Sequence, residues 1–130
     1  MLLIQPSIEM AEAFSKERLQ PIFDECEPLR GILRGETRGM ARNANDTLRR
    51  KAFAGGWLQL IGANSPASLA SRPVRRVVGD ELDRWPISAG AEGSPLALAE
   101  TRQITYWNRK KIAGGTPVDE GGSATWDLWE

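Results

Sequence analysis

The chain has 130 residues, of which 41% are hydrophobic and 26% charged, a composition typical of one globular domain. Seventeen basic residues balance 17 acidic ones, so the net charge gives no argument for nucleic-acid binding. Histidine is absent and Cys26 is the only cysteine, which excludes Ser-His-Asp and Cys-His catalytic sites, histidine metal sites and an internal disulfide. With neither a membrane-length apolar run nor a signal peptide, the sequence predicts a soluble intracellular chain.

The first residues predict a buried strand followed by a helix. The apolar run of residues 2–4 stops at Gln5, as a short buried strand does. Ser7 is suited to cap the helix that follows, and Pro21 must break or kink that helix because proline has no N–H to donate. We expect the apolar face of the helix to consist of Met10, Phe14, Ile22 and Phe23.

Residues 30–51 carry seven basic residues against two acidic ones and show no helical periodicity. Their glycine and asparagine content predicts a surface loop. Two interpretations remain open, a solvated connection and a surface that contacts nucleic-acid phosphates. The second assigns nucleic-acid binding to four arginines, Arg38, Arg42, Arg49 and Arg50.

Short strands alternate with helices in the rest of the chain. Residues 47–53 and 57–61 flank Gly55 and predict a hairpin, because glycine permits a tight turn. The other predicted elements are a helical turn at 65–70, a strand at 76–79, a helix from Ser94-Pro95 and a strand at 111–113. This alternation predicts an α/β fold with a parallel sheet.

Two adjacent carboxylates, Asp80 and Glu81, follow the predicted strand at 76–79. In nucleotide hydrolases the first acid after such a strand reaches magnesium, and the second orients the attacking water. The alternative is a helix N-terminus that favours acids. Thr116-Pro117 follows the last predicted strand and would line the same crevice, since ligands of open α/β sheets bind beyond the strands' carboxyl ends. An ordinary strand-to-loop turn is the alternative there.

The sequence contains no P-loop. The motif G-x-x-x-x-G-K-[ST] needs a lysine before serine or threonine. None of the four lysines meets this condition; they are Lys16, Lys51, Lys110 and Lys111.

Taken together, the segments resemble the ATPase domain of the terminase large subunit of lambda-like tailed phages. The similar segments, in the family's order, are LLIQPSIEMAEAFSKERLQPIF, FAGGWLQLIGANSPASLASRPVRRVVGDELDRWP, EGSPLALAETRQITYWNRK and GGTP. The resemblance implies a partial P-loop NTPase (RecA-like) domain over residues 1–130, with a mostly parallel sheet flanked by helices and lacking the P-loop strand. It implies that Asp80 is the Walker B magnesium acid, Glu81 the catalytic carboxylate and Thr116-Pro117 the coupling motif, in which Gly115 replaces a serine common in the family.

The function implied by this resemblance is hydrolysis of ATP with Mg²⁺ to drive DNA through a portal into a procapsid, in the host cytoplasm. The implied partners are double-stranded DNA, the terminase small subunit, the portal and procapsid, and other large-subunit copies, with no membrane. We expect the P-loop strand to precede residue 1 and a nuclease domain to follow residue 130. The isolated chain is then expected to be inactive, and the strand around Ile112 to present an unpaired edge.

Two other functions stay open from the sequence. One is a catalytically silent module that binds nucleic acid or protein through the basic stretch of residues 30–51. The other is part of a helicase-like ATPase, which shares the arrangement of a strand followed by Asp-Glu. Residues 64–72 resemble the terminase linker before the Walker B strand and favour the terminase.

Overall fold

A computed structural model describes residues 1–34, 46–53, 55–119 and 121–129. Within these ranges, six strands form a sheet in the order β2-β3-β4-β1-β5-β6. The strands are β1 (Leu2–Gln5), β2 (Asp46–Thr47), β3 (Arg50–Phe53), β4 (Gly56–Gly62), β5 (Arg76–Gly79) and β6 (Lys110–Ala113). β4, β1, β5 and β6 pair in parallel, whereas the β2–β3 and β3–β4 pairs are antiparallel. The predicted α/β class with a mostly parallel sheet is confirmed.

Six α-helices connect and cover the strands in the described residues. They are α1 (Ile8–Phe14), α2 (Gln20–Glu25), α3 (Glu27–Arg34), α4 (Pro66–Ala70), α5 (Pro95–Thr101) and α6 (Ala124–Trp129). A π-helical stretch, Ser15–Leu19, joins α1 to α2, and 3₁₀ turns lie at Leu82–Arg84 and Gly90–Glu92. Within the described ranges, no helix combines the length and apolar character needed to cross a membrane.

The core lies on both faces of the sheet because side chains alternate along each strand. In β1, Leu2 and Ile4 pack with Leu69 of α4 and Ala99 of α5 on one face. Leu3 packs on the opposite face, in a smaller cluster that includes Ala11 of α1. Burial on both faces explains why the first predicted strand is a continuous apolar run.

The start of the first helix follows the prediction, but its apolar face does so only in part. The Ser7 Oγ accepts the N–H of Met10 at 3.3 Å and caps α1. Phe14 packs against the core as expected, whereas Met10 and Ile22 are exposed. The wider turns of the π stretch, which lies between Phe14 and Ile22, rotate Ile22 away from the stripe that a regular helix would form.

The break expected at Pro21 occurs just before it. Gln20 N–H donates to the Ser15 carbonyl, five residues back, which closes the π turn. Pro21 then lies in the first turn of α2, where a missing N–H costs little.

The surface loop predicted for residues 30–51 is wrong at both ends. α3 continues to Arg34, and β2 and β3 occupy residues 46–47 and 50–53. Arg30 donates through Nε to the Asp24 carbonyl at 2.7 Å, so its charge is used to join α3 to α2. Buried Lys51 donates to Gln20 Oε1 at 2.8 Å, so its charge likewise has a partner in the fold. Residues 35–45 lie outside the described residues.

The remaining predicted elements are found where they were expected. β3 and β4 form the hairpin, with Phe53 opposite Gly56 and Gly55 at φ 78° in the turn. α4, β5, α5 and β6 lie over the predicted segments. α6 was not predicted. Because four neighbouring strands are parallel, the segments that follow β1, β4, β5 and β6 all lie at the carboxyl edge of the sheet.

Candidate active site

Asp80 lies immediately beyond β5, whose neighbours are β1 and β6. Its N–H donates to the Ile4 carbonyl at 3.0 Å and so extends the pairing with β1 by one residue. Its carboxylate Oδ2 accepts a 2.9 Å hydrogen bond from Nε2 of Gln5. The indole Nε1 of Trp85 donates to its carbonyl at 2.8 Å. The backbone and one carboxylate oxygen of Asp80 are therefore held in place.

Gln5 is a site residue to which no chemistry was assigned from the sequence. It ends β1 and is buried, with 3% of its surface exposed. Its side-chain amide reaches from β1 to Asp80, and this hydrogen bond orients the Asp80 carboxylate. The second oxygen of Asp80, Oδ1, accepts no hydrogen bond from the described residues. The feature of the sequence that could have pointed to Gln5 is a polar amide at the carboxyl end of an otherwise apolar strand.

Glu81 turns the chain sharply after Asp80. Its φ of 54° and ψ of 51° lie in the left-handed region, and no other non-glycine residue in the described part of the chain has a positive φ. Such a conformation is uncommon outside glycine, and strained backbone is concentrated at functional sites. Its Oε2 lies 3.4 Å from Nε of Arg84. A partly exposed ion pair of this kind contributes about 0–1 kcal/mol, so it opens easily.

The chain beyond β6 passes directly against the Glu81 turn. Gly114 N–H donates to the Gly79 carbonyl at 3.1 Å, and Leu82 N–H donates to the Gly114 carbonyl at 3.2 Å. A Cβ added to Gly115 would lie 2.9 Å from the Leu82 nitrogen and 3.2 Å from the Glu81 Cα. The fold thus has no room here for a side chain on residue 115. Thr116 and Pro117 follow Gly115 and are exposed.

Asp83 joins the Glu81 turn to the segment that leads into α6. Its Oδ2 accepts the Val118 N–H at 3.0 Å and the Ser123 hydroxyl at 2.5 Å, and its Oδ1 accepts the Thr125 N–H at 2.8 Å. The hydrogen bond from Ser123, followed by those from the two backbone amides, holds the pKa of Asp83 below its usual value. No sequence pattern singled out this residue.

Of the four arginines proposed to bind nucleic acid, the structure describes Arg49 and Arg50, which lie away from Asp80 and Glu81. Arg49 pairs with Glu12 of α1, Nε to Oε1 at 3.5 Å. The guanidinium of Arg50 lies 5.9 Å from the centre of the Trp57 ring. Both belong to the β2–β3 hairpin, which β4 and β1 separate from β5. Arg38 and Arg42 lie outside the described residues.

The comparison with protein families shows to which family the chain belongs. Residues 1–130, the whole chain, match the family described as phage terminase large subunit gpA, ATPase domain. The chain belongs to this family. Searches of curated proteins and of solved structures gave no match. The family match favours the terminase over the helicase-like ATPase that the sequence left open.

A terminase ATPase domain uses ATP, and the donor set at this edge fits magnesium bound together with phosphate. No group of three or more Asp, Glu, Cys or His residues that could hold a metal occurs in the described ranges. Magnesium is usually held by only one or two carboxylates, with waters and substrate phosphates completing its shell. Asp80 would supply such a carboxylate through Oδ1, with Glu81 beside it. The ion would neutralise charge on the phosphates.

The pKa of Asp83 leads to a prediction for this terminase domain. Because the pKa is lowered in the fold, the carboxylate stabilises the domain above the ordinary value of about 3.9, and this contribution is lost as the pH falls through the folded-state value. We expect Asp83→Asn to be less stable than wild type at pH 6 and to lose less stability between pH 4 and pH 2. Circular-dichroism melting curves measure both. Asp24→Asn serves as the control, and identical pH profiles for wild type and Asp83→Asn would contradict the prediction.

Proposed function

We propose that this chain is part of the ATP-hydrolysing motor of a phage terminase large subunit, which packages double-stranded DNA into procapsids. The observation that carries the proposal is the contact of Gly114 and Gly115 with the turn at Glu81, which follows Asp80 at the carboxyl edge of a parallel sheet. In α/β sheets ligands bind at this edge. Asp80 would hold Mg²⁺, Glu81 would orient the attacking water, and Thr116-Pro117 would couple hydrolysis to DNA movement.

The contacts of the two acids suit these separate roles. Gln5 holds one oxygen of Asp80, so the carboxylate keeps a fixed direction while the other oxygen stays available. Among the described residues, the Glu81 carboxylate has only the weak ion pair with Arg84. Opening this pair frees the Glu81 carboxylate to accept a hydrogen bond from water, which is how it would orient that water towards a phosphate.

Coupling would pass through contacts between adjacent backbones. Leu82 is hydrogen-bonded to Gly114, and Gly115 lies against the Glu81 Cα. Asp83 fixes Val118, Ser123 and Thr125 to the same turn. A displacement of Glu81 between nucleotide states would therefore move Gly115 and, through it, Thr116-Pro117, since close-packed groups transmit such shifts.

The P-loop absent from residues 1–130 would come from a segment outside them. β6 pairs with β5 and has no second strand beside it in the described part of the sheet. Ile112 on β6 and Ile104 just before it are exposed, by 65% and 69%. A cavity of about 610 Å³ lies beside them, between α5 and β6. An uncovered edge strand readily accepts another strand, so we propose that the P-loop strand pairs with β6.

The partners proposed for the motor follow from the family alone. They are double-stranded DNA, the terminase small subunit, the portal and procapsid, and further copies of the large subunit. The site of action would be the cytoplasm of the host.

The test compares residues 1–130 with a longer chain that also carries the segment encoded immediately upstream. We expect residues 1–130 to show no Mg²⁺-dependent release of phosphate from ATP above background, because the amides and lysine of a P-loop are missing. The longer chain should hydrolyse ATP. The proposal of a shared site would be wrong if residues 1–130 hydrolysed ATP and Glu81→Gln abolished that activity. A longer chain that binds no ATP would also contradict it.

A further inference from the structure

We propose that the amino edge of the sheet, opposite Asp80 and Glu81, binds the phosphate backbone of DNA. This basic edge consists of five residues at or just before the starts of β5 and β6, Arg72, Arg75, Arg76, Arg109 and Lys110. The choice of DNA rests on the proposed function, because packaging brings DNA to this chain. The charge pattern of the edge does not depend on that proposal.

The fold brings two distant basic segments side by side. Because β5 and β6 are parallel, residues 72–76 and 109–110 end at the same edge, and Arg76 lies opposite Lys110. Lys110 N–H donates to the Arg75 carbonyl at 3.0 Å. The buried amide Nε2 of Gln103 also donates to the carbonyls of both residues, at 3.1 Å to Arg75 and 2.7 Å to Lys110. The basic edge is therefore built on a fixed backbone.

The cations of the basic edge are exposed and not neutralised by the protein. All five residues are exposed, and none of their side chains pairs with a carboxylate in the described ranges. Glu100 on the neighbouring α5 is paired with Lys111. Asp80, Glu81 and Asp83 lie at the opposite edge. The chain is neutral as a whole but has an acidic and a basic edge, which the net charge conceals.

The spacing and chemistry of the basic edge favour a nucleic-acid backbone. Neighbouring strands lie about 4.8 Å apart, so Arg76 and Lys110, which lie opposite each other on β5 and β6, bring two cations close together. Duplex DNA, with one charge per about 1.7 Å of axis, offers a matching density of anions, and arginine forks bind phosphate through two hydrogen bonds.

Aromatic groups lie beside these cations. A cavity of about 320 Å³ between the β3–β4 turn and the start of β5 is lined by Arg75, Arg76, Trp57 and Tyr106. Trp107, two residues before Arg109, is 93% exposed. Arginines and lysines clustered on one face are typical of nucleic-acid-binding surfaces, and an exposed aromatic ring beside them can also stack on an unpaired base.

The test measures binding of residues 1–130 to a fluorescent 25-base-pair duplex by anisotropy, at 50 to 200 mM salt and without nucleotide. We expect the double variant Arg75→Ala/Arg76→Ala to bind at least tenfold more weakly at 50 mM salt. The slope of log affinity against log salt should become shallower by about 1.8, at roughly 0.9 for each phosphate that is no longer neutralised. Removing the two exposed charges Lys16 and Arg18 on the helical side, as Lys16→Ala/Arg18→Ala, should change affinity less than twofold.

Several outcomes would overturn the inference. Equal losses of DNA affinity in the two double variants would show that binding depends only on net charge. Unchanged DNA affinity of Arg75→Ala/Arg76→Ala would exclude the basic edge as the binding surface. If that variant does not fold, Arg109→Ala/Lys110→Ala on the adjacent strand gives the same test. If polyglutamate displaces the DNA at an equal concentration of negative charge, the basic edge prefers an acidic protein to DNA. DNA binding is measured on residues 1–130 without nucleotide and ATP hydrolysis on the longer chain, so failure of the ATPase proposal and failure of this inference give different results.

Discussion

In a longer chain that carries the P-loop, Glu81→Gln should lower Mg²⁺-dependent ATP hydrolysis by at least about 100-fold, the lower limit for loss of a positioned acid or base. Binding of ATP should stay within about twofold. Glutamine has the same size as glutamate, so it preserves the left-handed turn against Gly115. It lacks the negative oxygen that would orient the attacking water. Phosphate release and equilibrium binding of a fluorescent ATP analogue measure the two quantities separately.

The matched control for Glu81 is Glu92→Gln. Glu92 is exposed and lies in the 3₁₀ turn of Gly90–Glu92, outside the contacts that join Asp80, Glu81 and Gly115. Its replacement should leave hydrolysis unchanged. Equal rates for wild type and Glu81→Gln would remove Glu81 from the reaction, whatever its position in the fold.

A second large effect is expected from a single methyl group at Gly115. In Gly115→Ala the new Cβ would lie 2.9 Å from the backbone nitrogen of Leu82 and 3.2 Å from the Glu81 Cα. Backbone atoms cannot rotate away as a flexible side chain does, so the loop after β6 must shift. Overpacking of this kind lowers the free energy of unfolding by about 1–3 kcal/mol. Urea unfolding of residues 1–130 should show a loss in this range, and the longer chain should hydrolyse ATP more slowly.

The adjacent glycine provides the control. A Cβ added to Gly114 meets no heavy atom within 4 Å, and neither glycine has the positive φ that alanine would resist. Gly114→Ala should therefore unfold at a urea concentration close to that of wild type. If the two alanine variants have the same free energy of unfolding, the close approach of the loop to the Glu81 turn is not present in solution.

The strands of the parallel sheet could be predicted because each has a local signal in the sequence. β1 and β5 are apolar runs, and turn-forming residues bound them in the sequence. The position of Asp80 and Glu81 at a strand end follows from the same pattern. That the loop after β6 meets these acids could also be anticipated, because parallel strands share one carboxyl edge.

The residues that hold the site could not be predicted, because their contacts join distant parts of the chain. Gln5 bonds a carboxylate 75 positions away, and Asp83 bonds a hydroxyl 40 positions away. No local periodicity records such pairs. The loop prediction was wrong at the two ends of the basic stretch of residues 30–51 for a related reason. Arg30 and Lys51 serve helix and strand contacts, whereas in sequence their charges are indistinguishable from those of a solvated loop.

The most direct measurement is a crystal structure of the longer chain with Mg²⁺ and a non-hydrolysable ATP analogue. We expect the ion to lie at Asp80 Oδ1, directly or through one water, and the Glu81 carboxylate to leave Arg84 and face the terminal phosphate. The phosphates should lie at the edge where β1, β5 and β6 end. An analogue bound elsewhere in the chain, with Asp80 still joined only to Gln5, would contradict the assignment of this edge as the ATPase site.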